Sequence, residues 1–245
     1  MDKNWELLQE KAENFNLNLN DDQINQFKEY WRLLDEYNKH TNLVSNTDQD
    51  IAIRKHFIDS ISIGLIKDQI GWDETKTVID IGIGGGFPGV PIIIVNPNWS
   101  LTAVDSIGKK TKFIELLAER LGLIDRIKVI NARAEDLVRE KDKRENFDIV
   151  VARAVSQLNI LSEYCLPFVK QEGFFIAYKA RGIEIELNQA QKAFAALGGE
   201  VTNITRYDLP DEESVERNLI IIRKIKPTPP NYPRKAGIPK KNPLV

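Results

Sequence analysis

The stretch Asp80-Ile81-Gly82-Ile83-Gly84-Gly85-Gly86-Phe87-Pro88-Gly89 decides how the rest of the chain is read. Before it stands Thr77-Val78-Ile79, a β-branched run suited to a strand. After it, the segment opening Phe87-Pro88-Gly89-Val90-Pro91 reads as the start of a helix. Glycines at such a turn let the backbone reverse tightly and let a ligand approach where a Cβ would clash. Gly84, Gly86 and Gly89 satisfy G-x-G-x-x-G, a weak match alone that gains weight between a strand and a helix. Asp105 ends the next β-branched run, Leu101–Val104, 23 residues beyond Gly82. An acid there can accept hydrogen bonds from both hydroxyls of an adenosine ribose.

Outward from this turn, Ile127–Ile130 and Asp148–Val151 repeat the strand pattern, with helical patterns between them. One of these, Lys109–Leu121, is followed by Gly122 as a C-cap. Alternation of strand and helix implies βαβ units and a parallel, doubly wound sheet. A helix around Gln157–Val169, a strand at Phe174–Tyr178 and a helix near Ile183–Leu197 follow. Two strands, Val201–Tyr207 and Asn218–Ile225, close the series through a hairpin-like link. The expected fold is therefore α/β and Rossmann-like, with a mostly parallel seven-stranded sheet and an antiparallel edge. Upstream, Ile24, Phe27, Tyr30, Trp31, Leu34 and Tyr37 recur at helical spacing behind Asn20 or Asp21 as N-cap, and a second amphipathic stretch runs from Asp50 to Ile66. Three parts are expected: a helical extension over 1–70, the sheet domain over 71–226 and a basic, proline-rich tail over 227–245.

A chain of 245 residues, 42% hydrophobic, can bury one core with a small lobe. No apolar run approaches the roughly 18 residues of a membrane span, and the polar start Met1–Glu6 carries no secretory signal. A single cysteine, Cys165, excludes an internal disulfide and a cysteine-based zinc site, and suits a reducing cytoplasm. Charge is segregated. Residues 1–70 carry 8 basic and 13 acidic side chains, whereas residues 223–245 carry seven basic and no acidic ones. A basic end on an acidic body suggests an anionic partner touched locally, the alternative being a solvated tail. Six of the 11 prolines fall after Lys226, so that tail is expected to be extended rather than helical.

Two ligand classes suit the glycine turn. A dinucleotide places its pyrophosphate on the first helix N-terminus, but Pro88 and Pro91 remove N–H donors there. S-adenosylmethionine has no phosphate and loses nothing. Asp80 can hydrogen-bond toward its methionine amino group, so the sequence leans toward a methyl donor. Asn131-Ala132-Arg133-Ala134-Glu135 follows the third strand, where short side chains and backbone read an adenine edge; the alternative is an ordinary acidic helix start. Arg153 ends the fourth strand at the ligand-binding edge of the sheet.

With these residues in view, the chain resembles the bacterial RsmG (GidB) family of small-subunit rRNA methyltransferases. The resemblance runs from about Asn42 to the C-terminus. It rests on Asn42-Leu43, Arg54 and His56-Phe57-Ile58-Asp59-Ser60, on Asp80–Gly89 with its specific Phe-Pro-Gly ending, on Arg133-Ala134-Glu135 and Arg153-Ala154, and on Tyr232-Pro233-Arg234 to Leu244. It implies a class I methyltransferase fold and transfer of a methyl group from S-adenosylmethionine to N7 of one guanine, guanine-527, in 16S rRNA. By motif position Gly82, Phe87, Ala134, Glu135 and Arg153 match the family's cofactor contacts, and Asp105 its strand-two acid. Lys179 is followed by Ala180 where many members have glycine, and Val44 stands where Thr or Ser is more usual.

Guanine N7 carries a lone pair and no proton, so the reaction needs no general base, only positioning. Arg54, His56, Arg133, Lys179, Arg234 and Lys235 are then expected to hold RNA phosphates or the guanine O6 edge. Phe87 is either a stacking platform for the base or packing under the cofactor, and His56 has the alternative of capping a core polar group. His40 is expected on the surface; Cys165, Tyr30 and Trp31 belong to packing. The expected partner is 16S rRNA or the small ribosomal subunit, met by a cytoplasmic monomer with no metal and no membrane. The rivals are a methyltransferase of another substrate and an NAD-dependent oxidoreductase. Deleting 227–245 is expected to weaken RNA binding and spare cofactor binding.

Overall fold

The computed structural model describes residues 3–210 and 215–245. Helices α1 (Lys3–Asn14) and α2 (Asp21–Thr41) form the N-terminal extension. Asn20 caps α2 as the sequence suggests, its side chain accepting from the Gln23 N–H at 2.9 Å while Gln23 returns a bond to the Asn20 N–H. The second helical stretch starts at Gln49 and runs on to Ile70, four residues past the expected end. It is a broken helix: α3 (Gln49–Ala52), a π turn (Ile53–Ile58), α4 (Asp59–Ile61), a 3-10 turn (Ser62–Ile66) and α5 (Lys67–Ile70). Such π turns inside helices recur at functional sites.

Then come β1 (Lys76–Ile81), α6 (Gly89–Val95), β2 (Trp99–Asp105), α7 (Gly108–Arg120), β3 (Ile127–Asn131), α8 (Ala134–Leu137), β4 (Phe147–Arg153), α9 (Leu158–Cys165), β5 (Val169–Ala180), α10 (Ile183–Leu197), β6 (Gly199–Leu209), β7 (Val215–Lys224) and α11 (Ile238–Lys241). The sheet order is β3-β2-β1-β4-β5-β7-β6. The first five strands are parallel; β7 runs antiparallel to both β5 and β6. Residues 211–214 of the β6–β7 link lie outside the described residues. The order reverses between β1 and β4, so the crevice above their C-terminal ends is the topological switch point where ligands bind.

Strand alternation sorts the core into two layers. Val78, Ile149, Val151, Ile176 and Ile221 face one side, where they join Trp5, Leu8, Phe27 and Phe57 of the extension. Ile79, Val150, Ala152, Phe175 and Ile220 face the other, against α9 and α10. Residues 3–70 thus share a core with the sheet. Cys165 is fully buried and Tyr30 is part of the first layer, while His40 is exposed, as the sequence suggests.

The tail departs from expectation. It is not uniformly extended, because Ile238–Lys241 makes one helical turn, with Gly237 taking up a positive φ just before it. Nor is it free. Arg144 donates to the carbonyls of Thr228 and Tyr232 at 2.8 Å each, and Arg139 to that of Pro233 at 2.9 Å. Lys224 is fully buried on Glu145 at 2.9 Å, and Arg234 lies on Glu163 at 2.6 Å. Two of the seven terminal cations are therefore spent inside the fold, because their acidic partners are supplied from distant α9 and the loop before β4.

Candidate active site

The glycine loop sits at the end of β1. Gly82 and Ile83 donate to the Val104 carbonyl at 2.8 and 3.0 Å, which ties the loop to the end of β2. Two positions require glycine. Gly86 has φ +104, and a Cβ there would overlap the Tyr30 hydroxyl. Gly89 opens α6 so close to β1 that a Cβ would stand 2.8 Å from Asp80 Oδ2. That approach lets the Gly89 N–H donate to the same oxygen at 2.8 Å.

Asp80 is fully buried, and its other oxygen, Oδ1, has no partner. Burial pushes its carboxyl well above the ordinary carboxylate range, against the Gly89 bond. The unpartnered oxygen can take a hydrogen bond from the ammonium of a methionine moiety, directly or through water, but Asp80 stands behind the loop and lines none of the cavities beside it. Asp105 ends β2 with both oxygens held: Oδ2 accepts from the Gly84 N–H at 3.1 Å and Oδ1 from the Ile107 N–H at 2.9 Å. Each oxygen keeps a second lone pair, and the residue lines a cavity of 190 Å³ with Gly82, Ala134, Glu135 and Tyr164. The residues present therefore fit S-adenosylmethionine: an unpartnered acid for the amino group, a fixed acid for the ribose and an apolar-sided slot beyond.

Glu135 is buried, and its Oε1 accepts from the Gly237 N–H at 3.1 Å, so the tail braces this wall. Arg133 stands exposed at the rim. A second cavity of 240 Å³ shares Gly82 with the first and runs past Gly84, Phe87 and Lys110 to Arg153 and His56. A third, of 440 Å³, opens over the ends of β4 and β5 and shares His56, Arg153 and Ala154 with the second. The three adjoin one another along the C-terminal edge of the sheet.

Arg153 joins the sheet to the broken helix. Its Nη1 donates to Asp59 Oδ2 at 2.7 Å and to the Lys55 carbonyl in the π turn at 3.1 Å. Its guanidinium lies 5.0 Å from the centre of the Phe87 ring. Tyr207 donates to Asp59 Oδ1 at 2.7 Å, and Arg217 approaches the same oxygen at 3.8 Å. Phe87 is buried, stacked on Tyr30 at 5.2 Å and faced by His56 at 5.0 Å. These contacts favour packing beneath the site over an open platform for a base. Burial, then the nearby Arg153 charge, lowers the His56 pKa from 6.5 to about 4.

The remaining expected residues are spread out. Lys179 lines the third cavity but is held by Glu186 at 2.6 Å and the Ser156 carbonyl at 2.7 Å. Arg54 reaches Asp50 and the Pro210 carbonyl, both at 2.5 Å. Arg234 is committed to Glu163, and Lys235 is exposed. Asp59, Tyr164, Tyr207 and Arg217 were not singled out by sequence. Asp59 lay inside a quoted motif, but its partners Arg153 and Tyr207 are 94 and 148 residues away.

Among the described residues no group of His, Cys, Asp and Glu is arranged to hold a metal, and no helix is long and apolar enough to cross a membrane.

The sheet order, the glycine loop at the end of β1 and the acid at the end of β2 define a class I S-adenosylmethionine-dependent methyltransferase. The fold is similar to that of a putative sarcosine dimethylglycine methyltransferase from Galdieria sulphuraria, with a TM-score of 0.52 at 11% identity over 69% of this chain and 88% of that one. It is also similar to the YcgJ protein of Bacillus subtilis, with a TM-score of 0.52 at 14% identity over 67% and 98%. Within that class, the profile of the family GidB, rRNA small subunit methyltransferase G, matches residues 23–219, and the chain belongs to this family. Proteins called ribosomal RNA small subunit methyltransferase G are similar along nearly the whole chain. That of Acetivibrio thermocellus is 46% identical over 98% of this chain and 96% of its own, and that of Bacillus subtilis 45% over 93% of each.

Proposed function

We propose that the chain transfers the methyl group of S-adenosylmethionine to N7 of one guanine in 16S rRNA, guanine-527 by family resemblance. It would act as a cytoplasmic monomer on free rRNA or the small subunit. The observation that carries the reading is the pair of acids about the glycine loop, Asp80 with an unpartnered oxygen and Asp105 with a fixed carboxylate, in a chain of this family. An NAD-dependent oxidoreductase is disfavoured by the antiparallel β7 between β5 and β6, which a dinucleotide fold of order 3-2-1-4-5-6 lacks. Pro88 and Pro91 at the opening of α6 weigh the same way.

S-adenosylmethionine supplies an electrophilic sulfonium methyl. The protein's task is to bring the N7 lone pair in line with it, with no proton to remove, so positioning carries the rate. Asp105 and the loop glycines hold the donor in the first two cavities, with Asp80 behind the loop; the third receives the base. Positive charge arrives on the base as it reacts. The Arg153 charge at the junction is balanced by Asp59, so it does not oppose that change. Exposed Arg133, Lys235, Lys240 and Lys241 are left for phosphates. The division into 1–70, 71–226 and 227–245 is then one of labour: base-side wall, donor site and RNA-facing brace.

Calorimetry with S-adenosylmethionine and NAD tests the reading. The native chain binds the former and Asp105→Ala binds it ten- to a hundredfold more weakly, the scale of one charged hydrogen-bonding group. Saturable NAD binding without S-adenosylmethionine binding refutes it.

A further inference from the structure

The loop that follows β4, residues 154–157, borders all three cavities. Val155 lines the first, beside Gly82, and Ala154 lines the second and third. Val155 lies so close to the glycine loop that a Cβ on Gly82 would stand 2.8 Å from its Cγ2. Ala154 takes a φ of +57, a left-handed conformation that is costly for a residue with a Cβ and persists only where its surroundings impose it.

The loop is fastened at both ends. Before it, Arg153 is held by Asp59 and the Lys55 carbonyl. At its far end, Lys179 Nζ donates to the Ser156 carbonyl at 2.7 Å and to Glu186 Oε2 at 2.6 Å. The same Glu186 oxygen accepts from the Leu158 N–H at 2.9 Å, where α9 begins. Lys179 stands on β5 and Glu186 on α10, so elements later in the chain shape this loop. Two of the three ammonium protons are committed inside the fold, and the side chain keeps only 11% of its exposure. The carboxylate beside it would repel a phosphate.

We infer that Lys179 and Glu186 form a positioning pair: together they strap the loop after β4 so that Val155 walls the donor cavity and Ala154 the two beside it. Lys179 then serves the loop and not the RNA. This rests on the methyl-transfer reading and deepens it. Where the rate comes from positioning, a wall displaced by about 1 Å can cost on the order of a hundredfold. The two roles for Lys179 place opposite demands on Glu186. If Lys179 held a phosphate, Glu186 would compete for the cation, and removing it would tighten RNA binding. If the pair is a strap, removing either member loosens the same loop.

The test compares the native chain with Lys179→Met, Glu186→Ala, Glu186→Gln and the double variant Lys179→Met, Glu186→Ala. Lys179→Met and Glu186→Ala should each weaken S-adenosylmethionine about fivefold by calorimetry. Each should also lower kcat about 10- to 100-fold, with KM for 16S rRNA within about twofold of native. Because both break one strap, the double variant falls no more than about threefold below the worse single one. Glu186→Gln, which keeps an acceptor for both donors, recovers at least about fivefold of kcat over Glu186→Ala. Melting temperatures report folding; if Glu186→Ala does not fold, Lys179→Met decides by the same readouts. A salt slope of rRNA binding shallower by about 0.7–0.9 in Lys179→Met, or tighter RNA binding in Glu186→Ala, makes Lys179 a phosphate contact and overturns the inference. Multiplying losses in the double variant overturn it too, as does a lower melting temperature with kcat and donor affinity unchanged. A native chain that binds S-adenosylmethionine but methylates no guanine N7 overturns the underlying reading instead, and donor affinity in the variants then decides the strap.

Discussion

Replacing Arg234 with alanine tests whether the C-terminal segment is a structural brace of the cofactor cavity. The Glu163 carboxylate is almost fully buried and is held by one residue: the Arg234 backbone N–H at 2.8 Å, Nε at 3.0 and 3.2 Å, and Nη2 at 2.6 Å. Arg234→Ala leaves that carboxylate with the backbone N–H alone. Breaking a buried pair costs about 3–5 kcal/mol. The Arg234 side chain keeps 22% of its exposure, which places the expected loss at the lower end, about 3 kcal/mol. For a chain of this size that is roughly 6–12 °C of melting temperature.

The loss should also reach the ligand. Gly237, three residues on, donates to Glu135, and Tyr164 adjoins Glu163; both Glu135 and Tyr164 line the 190 Å³ cavity. Releasing one such bond, about 1 kcal/mol, weakens S-adenosylmethionine about fivefold. The double variant Arg234→Ala, Glu163→Gln should recover about half the stability, since a neutral amide is cheaper to bury than a lone carboxylate. Thermal unfolding by circular dichroism and calorimetry give both readouts. A melting shift under 2 °C, or a large shift with cofactor affinity untouched, refutes the brace. Its success would replace the expectation that removing the tail spares cofactor binding.

Other outcomes follow from the same geometry. Because the His56 pKa falls from 6.5 to about 4 on folding, the unfolded chain takes the proton first. Its contribution to stability is complete above pH 6.5 and lost as pH falls toward 4. Between pH 6.5 and 5, urea unfolding should therefore show about 1–2 kcal/mol more loss in the native chain than in His56→Gln; equal slopes contradict the shift. Gly86→Ala, which meets both the positive φ and the Tyr30 hydroxyl, should cost about 2 kcal/mol or more, and a change below 0.5 kcal/mol in denaturant melts would contradict the loop geometry. Changing Lys235, Lys240 and Lys241 together to glutamine should make the salt dependence of rRNA binding shallower by about 2–3 logarithmic units per unit of log salt. An unchanged slope would place RNA on another face.

The sequence disclosed the half of the site whose partners are close in the chain. β1, the glycine loop and Asp105 follow from strand periodicity and one fixed spacing, and α10 runs from Ile183 to Leu197 as its periodicity indicates. β5 proved longer than its apolar part, Phe174–Tyr178, because Lys170-Gln171-Glu172 at its start is polar and exposed. Helix α11 was hidden by the prolines around it. The Arg153–Asp59–Tyr207 cluster and the Arg234–Glu163 pair were not legible for a different reason. Sequence reading gave Arg153 and Arg234 to ligand and RNA, because only tertiary folding brings each against a buried acid 94 or 71 residues away, and Tyr207 against Asp59 at 148. The same holds for His56, whose Nδ1 lies 3.3 Å from Nη2 of Arg153, 97 residues away.

The most direct measurement incubates the purified chain with small-ribosomal-subunit RNA and S-adenosylmethionine labelled on its methyl group, then digests the RNA to nucleosides. The account predicts label in 7-methylguanosine, close to one per 16S molecule, and its loss in Asp105→Ala. Label confined to another nucleoside, or none while S-adenosylmethionine binds normally, would contradict it.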